Sequence, residues 1–240
     1  MSSPAAASNA TAATYVEGST QIDGVYTADN ERQLVISYVA GDCTVSARGV
    51  AREAARSITI HVEVTTRNAI CEAIGYVRTA VAPLSAPWGN RVVLDQSGAV
   101  VPVVDGALLL SPSWLPDGYQ GGEISAFASD GGTATADQEW GPPSVTATTG
   151  AGNVSCPPTP GVSLFQGYGI AAGDSVLPGR YSLADGTALT VTRDQLNGLD
   201  LYWTPPSHPN GWTVALQSTP ECGNPLIPLD TLLKIANSLH

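Results

Sequence analysis

The chain has 240 residues, of which 43% are hydrophobic, so it can bury the core of one large β domain or of two smaller ones and is not a wholly disordered protein. Its 10 basic and 21 acidic residues give a net charge of −11 at pH 7. Because an acidic surface repels phosphate groups and anionic headgroups, this balance argues against nucleic-acid binding and against electrostatic membrane binding.

The opening residues are rich in Ala, Ser and Thr, which predicts a flexible tether over 1–20. They lack the basic start and the apolar run of a signal peptide, and no stretch of the chain reaches the roughly 18 apolar residues of a membrane helix. The opening resembles the mature start of a bacterial lipoprotein, with Met1 in the place of the lipidated Cys. We therefore expect an exported protein, extracellular or at the cell surface, whose membrane contact is an absent N-terminal lipid anchor.

Alternating apolar residues predict several strands in the first half. The stretch 57–66 has a period of two and predicts a half-buried strand, whose apolar face is Ile58, Ile60, Val62 and Val64. The stretches 32–40 and 73–84 predict two more strands. Two apolar runs around an Asp-Gln-Ser-Gly turn predict a hairpin over 90–103.

Residues 46–57 fit two structures. Their arginines are four residues apart with Ala between them, which favours a helix: Arg48, Arg52 and Arg56. The alternation from Val45 to Ala51, and Gly49 within it, favours a strand. We predict a strand whose arginines form a solvated face.

The second half begins with an apolar run and a Pro-bounded turn at 104–120. The stretch 129–161 is rich in Gly, Pro, Ser and Thr and shows little periodicity, which predicts a functional loop or a broken sheet edge. Alternation then predicts successive strands within 179–206 and at 211–218, separated by Asp-Gly and Asn-Gly turns.

The last segment predicts an amphipathic helix over 229–239. Its apolar residues follow the i, i+3, i+4, i+7 spacing of one buried face: Leu229, Leu232, Leu233 and Ala236. Together these patterns predict a mainly β protein of two antiparallel modules. The N-terminal module, 21–106, would be sandwich-like, and the C-terminal module, 107–240, would be a sheet closed by the helix.

Four cysteines are spread through the chain without the spacing of a zinc site: Cys43, Cys71, Cys156 and Cys222. An even number in a β-rich chain favours two disulfides and an oxidising compartment. Of three possible connectivities we favour Cys43–Cys71 with Cys156–Cys222, because each pair closes a loop within one half. Four reduced, buried cysteines in a cytosolic protein are the alternative.

The segment 71–103, with Cys43 upstream, contains the pattern G-x-R-x-V-x-D…G…V-P-V, formed by Gly89, Arg91, Val93, Asp95, Gly98 and 101–103. In this respect the region from about residue 24 to 104 resembles an extracytoplasmic module of secreted proteins and lipoproteins in high-GC Gram-positive (actinobacterial) species. The resemblance implies a β fold and an extracytoplasmic location, and it brings no assigned chemistry.

Four short motifs carry a second resemblance: WLPDGY at 114–119, LDLYW at 199–203, GWTVAL at 211–216 and IPLDTLLKIANSL at 227–239. They resemble the C-terminal part of extracytoplasmic sensor-like domains, including those attached to anti-sigma-factor membrane anchors. The resemblance implies sensing or protein contact outside the membrane rather than catalysis. The Gly/Pro-rich insert and the Cys156–Cys222 pair depart from those domains.

No motif identifies a reaction. There is no G-x-S-x-G and no H-E-x-x-H, and the histidines are His61 on the polar face of a predicted strand, His208 in a loop, and His240. We therefore assign no catalytic residue.

Three acids lie in a Gly-rich stretch where oxygen ligands for calcium can converge: Asp130, Asp137 and Glu139. Their spacing is not that of an EF-hand, and solvated acids are the favoured interpretation, so we predict no metal and no cofactor. A glycoside hydrolase needs two carboxyl groups that meet only in the fold, so the sequence leaves that alternative open.

Aromatic residues give the candidate binding site. Trp114, Tyr119 and Trp140 lie in or beside predicted loops, where they can form a platform for a sugar or a protein. The alternative is that they cover the hydrophobic cores.

The sequence thus predicts a non-enzymatic cell-envelope binding or sensor-like protein, the ectodomain of a lipoprotein. Its partner would be an envelope protein or a glycan. The alternatives are a carbohydrate-active hydrolase that uses an Asp/Glu pair and a structural envelope protein without a ligand.

Overall fold

The computed structural model describes residues 15–18, 21–41, 43–67, 75–128, 132–141, 161–173, 175–195, 197–219 and 226–240. Within them the protein is mainly β, with sixteen strands, one 3-10 turn and one α-helix, so the predicted fold class is confirmed. The helix found in these residues is too short to cross a bilayer, and no other described segment is a candidate membrane helix.

Eight strands lie in the first half: β1 (Tyr15–Gly18), β2 (Ile22–Ala28), β3 (Gln33–Gly41), β4 (Thr44–Glu53), β5 (Ser57–Thr66), β6 (Gly75–Pro83), β7 (Val92–Leu94) and β8 (Val103–Val104). One sheet has the order β1-β5-β4 with β7 paired to β5, and the other has the order β6-β3-β2-β8. The pairs are antiparallel except for β5–β7 and β2–β8, which are parallel. The two apolar runs of the predicted hairpin are joined next to the turn by an antiparallel bridge from Leu94 to Val100 and by N–H···O bonds from Asp95 to Ala99 and from Val101 to Val93. Beyond this short hairpin, β7 and β8 pair in different sheets.

The two sheets of the first half share one hydrophobic core. Every second residue of β5 is buried in it, from Ile58 to Val64, as the alternation predicts. Residues 44–53 form a strand, so the predicted strand is confirmed for 46–53 of the ambiguous arginine segment, whereas Arg56 lies in the connection to β5. Strand β3 is buried on both faces, because one face meets this core and the other meets the second half of the chain.

The second half contains a 3-10 turn (Gly106–Leu108), eight further strands and the helix: β9 (Gln120–Gly121), β10 (Ser125–Ala128), β11 (Ala134–Gly141), β12 (Gly161–Tyr168), β13 (Tyr181–Ser182), β14 (Ala188–Arg193), β15 (Leu199–Trp203), β16 (Trp212–Thr219) and α1 (Leu229–Ala236). The strands form one sheet in the order β10-β11-β12-β16-β15-β14-β13, with β9 paired to β11. One face of this sheet and the helix bury a second hydrophobic core.

The prediction of an irregular stretch over 129–161 is wrong at 134–141, where the chain forms β11. The residues that this strand buries include Ala134 and Ala136, which carry too little apolar surface to give a clear alternating signal. Strand β12, which begins at Gly161, was not predicted either. The rest of the stretch, apart from 132–133, lies outside the described residues.

The predicted C-terminal helix exists, but it ends at Ala236 rather than at residue 239. The fully buried residues of the helix are Leu232, Ile235 and Ala236. Leu229 and Leu233, which the spacing assigned to the buried face, are only partly buried. The buried face is therefore rotated toward Ile235. Beyond the helix the backbone pairs with 111–113: Ser111 and His240 exchange N–H···O bonds of 3.1 and 3.2 Å. This pairing anchors the helix to the start of the second half.

Candidate functional site

The two halves meet where β10 lies across β2 and β3. The backbone N–H of Ala126 donates a hydrogen bond of 2.7 Å to Oγ of Ser37, and both residues are buried. Gly24 lies beside Ser37 in the sheet. A Cβ at Gly24 would stand 2.6 Å from the carbonyl carbon of Ala126, so only a glycine lets the β10 backbone lie this close.

Beside this contact a groove runs between β6 and the strands β10 and β11. It consists of two hollows of about 410 Å³ each, and both are lined by Val77, Ser125 and Asp137. One hollow extends toward Phe127 and the other toward Glu139. Because the hollows share three residues, we treat them as one site and call it the junction groove.

Carboxylates dominate the junction groove. Four acidic side chains and one basic side chain line it: Asp23, Glu123, Asp137, Glu139 and Arg78. Oγ1 of Thr79 donates a hydrogen bond of 2.6 Å to Oε2 of Glu123, which holds that carboxylate over β6. The groove therefore presents a negative surface that complements a cation.

Asp137 is the acid of the groove whose pKa is raised most strongly, although a hydrogen bond from the backbone of Gln138 offsets part of the shift. Burial of its side chain, and then the negative charge of Glu139, raise the pKa of Asp137 from 3.8 to about 7. Its Oδ1 is buried and makes no hydrogen bond within the described part of the protein. A bound cation or hydrogen-bond donor would stabilise this carboxylate.

Exposed valines lie beside the acids. Val39 and Val77 face each other across the β3–β6 pair, and Val81 lies further along β6 on the same face. Their exposed fractions are 41%, 59% and 45%, which are large for aliphatic side chains in a sheet. The acidic groove thus has an apolar margin.

The predicted aromatic platform does not lie in this groove. Trp140 is 5% exposed within the second hydrophobic core, and a Cβ on Gly121 would stand 2.6 Å from its indole nitrogen. Trp114 and Tyr119 are half-buried against the same core, and Nζ of Lys234 lies 3.6 Å from the centre of the Trp114 ring. The geometry matches the core-covering alternative for all three, and a binding role for them stays a prediction.

The histidines are placed apart from one another. Nε2 of His61 lies 3.6 Å from Oε1 of Glu63 on the same strand, and Nε2 of His208 lies 2.7 Å from the carbonyl oxygen of Leu108. The described residues contain no group of three His, Cys, Asp or Glu side chains arranged to hold a metal ion. Asp130, one of the three acids considered for calcium, lies outside those residues.

Cys43 does not carry a free thiol. The other three cysteines, Cys71, Cys156 and Cys222, lie outside the described residues. Both favoured disulfide pairings therefore stay predictions.

The G-x-R-x-V-x-D…G…V-P-V pattern over 89–103 forms a structural corner around Arg91. Its guanidinium binds Oε2 of Glu53 at 2.9 Å and also donates to the carbonyl oxygens of Ala86, Pro87 and Trp88. The backbone N–H of Ser85 donates to the other oxygen of Glu53, and these bonds lower the pKa of Glu53 to about 2.

The remaining residues of the pattern also have structural roles. Val93 is 1% exposed in the first core. Asp95 accepts hydrogen bonds from the backbone N–H groups of Ser97 and Ala99 and so fixes the turn that precedes 101–103. Gly89 and Gly98 have φ of 56° and 88°, a region that favours glycine.

Sequence reasoning missed most of the groove. It considered Asp137 and Glu139 only as calcium ligands and did not single out Asp23, Val77 or Glu123. The one local signal was a strand, 75–83, with valines on the face opposite its buried alanines, Ala80 and Ala82. A strand of this kind, apolar on both faces, packs against something on each side.

No protein-family model matches the chain, and no curated protein matches it. A solved structure of MucB in complex with MucA(peri) aligns with 93% of this chain and 67% of that chain, at 13% sequence identity and a TM-score of 0.31.

Proposed function

We propose that this chain is a non-enzymatic binding protein of the cell envelope, which works outside the cytoplasm and holds a partner in the junction groove. One observation carries the proposal: a groove lined from both halves, with an unpaired buried carboxylate oxygen on Asp137 next to exposed valines. A buried carboxylate oxygen without a donor, and aliphatic groups that stay in water, both lower stability unless a partner covers them.

The proposal includes a location. An acidic chain with a lipoprotein-like opening and an even number of cysteines supports export and lipid anchoring. Localisation and lipid labelling of the protein in the organism that encodes it test this part. A cytoplasmic, unlabelled product would contradict the proposed location. It would not contradict the binding of a partner in the groove.

Site-specific photo-crosslinking tests the binding function. A crosslinking residue at position 77, inside the groove, should capture an envelope protein or glycan in the organism that encodes the chain. The matched control carries the same residue at position 117, an exposed turn position outside the groove. Equal yields of the same product at both positions, or no product at 77, would contradict a partner in the groove.

A second function has one observation in its favour, the raised pKa of Asp137 beside Glu139. A carboxyl group with a pKa near 7 can protonate a glycosidic oxygen while a neighbouring carboxylate stays ionised. The hydrolase alternative therefore assigns Asp137 as the general acid. It predicts hydrolysis of envelope glycans that is lost in Asp137→Asn, and unchanged glycans after long incubation with the protein would exclude it for those substrates.

A further inference from the structure

The junction groove lies beside a strand that is the last of its sheet, and the two features together define a partner's shape. We propose that the groove binds an extended polypeptide segment that pairs with the outer edge of β6 and carries Lys or Arg at every second residue. This inference rests on the binding function proposed above and names the class of partner.

The edge of β6 supplies the backbone contacts. β6 is outermost in the order β6-β3-β2-β8, and among the described residues no strand pairs with its outer side. Strand β4 crosses β6 near its end, where a Cβ on Gly49 would stand 2.8 Å from the backbone of Val81 and Ala82. The first part, Gly75–Arg78, is exposed along its length. An open edge of this kind accepts a further strand through N–H···O=C bonds.

The face of β6 that looks into the groove decides which side chains the added strand needs. Val77 and Thr79 lie on that face, and Thr79 holds the Glu123 carboxylate directly above it. An added strand lies about 4.8 Å from β6, so its side chains on this face come next to Val77 and Glu123. A Lys or Arg there covers Val77 with its aliphatic stem and brings its charge to the carboxylates of Glu123 and Asp137.

The other face of β6 favours an apolar residue. Tyr76, which is 44% exposed, lies on that face with Arg78, so a Val, Ile or aromatic side chain of the added strand can pack against the tyrosine ring and the aliphatic stem of the arginine. Because side chains alternate along a strand, one segment satisfies both faces only by alternating basic and apolar residues. The carboxylates of the groove would repel an acidic strand, and a neutral strand would leave these carboxylates without a partner charge. Charge therefore favours a basic strand.

Three synthetic peptides test the inference on the full chain, with binding measured by fluorescence anisotropy at low salt. The first alternates Lys and Val, the second alternates Glu and Val, and the third is the Lys-Val peptide with N-methyl groups on alternate residues. We expect the affinity of the first peptide to be at least about tenfold higher than that of each of the other two. Equal binding of the Glu-Val peptide would overturn the charge assignment, and equal binding of the N-methylated peptide would overturn pairing at the edge.

A pair of protein variants locates the contact. Glu123→Gln with Glu139→Gln removes two groove charges, keeps an acceptor for Thr79, and should weaken the Lys-Val peptide about tenfold. The control, Asp117→Asn with Asp230→Asn, removes two exposed charges elsewhere and should leave the affinity unchanged. An equal loss in both variants would show that net charge alone attracts the peptide and would overturn the site.

Two further outcomes separate this inference from the function on which it rests. If position 77 crosslinks to an envelope partner while none of the peptides binds, the binding function stands and the strand-pairing inference fails. If the chain forms a dimer in sedimentation that Val77→Lys dissociates, the edge of β6 belongs to a second copy and the inference is overturned. Failure of both the crosslinking and the peptides removes both proposals.

Discussion

The corner around Arg91 and the junction groove are both polar places between strands, and they differ in whether their charges are paired. At the corner, the carboxylate of Glu53 and the carbonyl oxygens of 86–88 all receive hydrogen bonds. In the groove, Oδ1 of Asp137 receives none from the described residues. The corner, which a sequence pattern marks, therefore stabilises the fold, whereas the groove, which no pattern marks, keeps its charges available.

The corner should show the largest loss of stability when its charge network is broken. We expect Arg91→Leu to lower the free energy of unfolding by about 3 kcal/mol, because Oε2 of Glu53 and the carbonyl oxygens of Ala86 and Pro87 lose their donor. The control is Arg48→Leu, which removes an ion pair to Glu63 whose side chains are 72% and 40% exposed. That change should leave the free energy of unfolding nearly unchanged in chemical denaturation, because water screens an exposed ion pair. Equal losses would show that the corner is an ordinary surface ion pair.

The close contact between Gly24 and the backbone of Ala126 should be the next most sensitive place. Gly24→Ala puts a methyl group against the backbone of Ala126, and we expect a loss of about 2 kcal/mol. Gly41→Ala is the matched control, since no atom lies within 4 Å of the added carbon. Thermal melts of both variants measure the difference. An unchanged melting temperature for Gly24→Ala would mean that the halves do not pack through this contact.

Replacing Asp137 in the groove should raise the stability of the protein, whereas replacing Arg91 at the corner should lower it. The pKa of Asp137 is about 7 in the folded protein and about 4 in an unfolded chain. Ionisation of Asp137 therefore favours the unfolded chain. The contribution of the protonated Asp137 to the free energy of unfolding is complete below about pH 4 and is lost as the pH rises to about 7. Asp137→Asn should raise the melting temperature at pH 8 and leave it nearly unchanged at pH 4. A variant less stable than the parent at pH 8 would show that the carboxylate is paired in solution.

The margin of the groove should be the least sensitive to substitution. We expect Val77→Thr to change stability by less than about 0.5 kcal/mol, because the side chain is 59% exposed. The same change at Val62, which is 1% exposed in the first core, places a hydroxyl in an apolar site and should cost about 1–3 kcal/mol. Denaturation midpoints compare the two. A large loss at Val77 would mean that this residue has a structural partner rather than a vacant surface.

Sequence patterns predicted the strands that have one clear apolar face. The run from Ile58 to Val64 is an example, since each residue that its alternation assigns to the interior is buried. Strand β11 escaped because alanines fill part of its inner face, and a pattern based on large apolar residues does not register them. The helix was predicted with a rotated face because its burial depends on where the sheet and 111–113 meet it.

The candidate site could not be predicted from local patterns. Its defining contacts join Thr79 to Glu123 and Ser37 to Ala126, which are 44 and 89 residues apart. The raised pKa of Asp137 likewise comes from burial at the junction, which depends on how the two halves pack. The alternation of apolar residues predicts which segments form strands. The carboxylates come together in one groove only because β10 packs on β2 and β3.

The pairing of 111–113 with 238–240 has a consequence for the order in which the protein is assembled. The hydrogen bond from Ser113 to Ser238 spans 125 residues, so the second half cannot close until its last turn has emerged. The first half can fold much earlier, because its core residues all precede Val104. Until the last turn arrives, the core that contains Leu201 and Leu216 lacks Leu232 and Ile235, so part of its apolar surface stays in water.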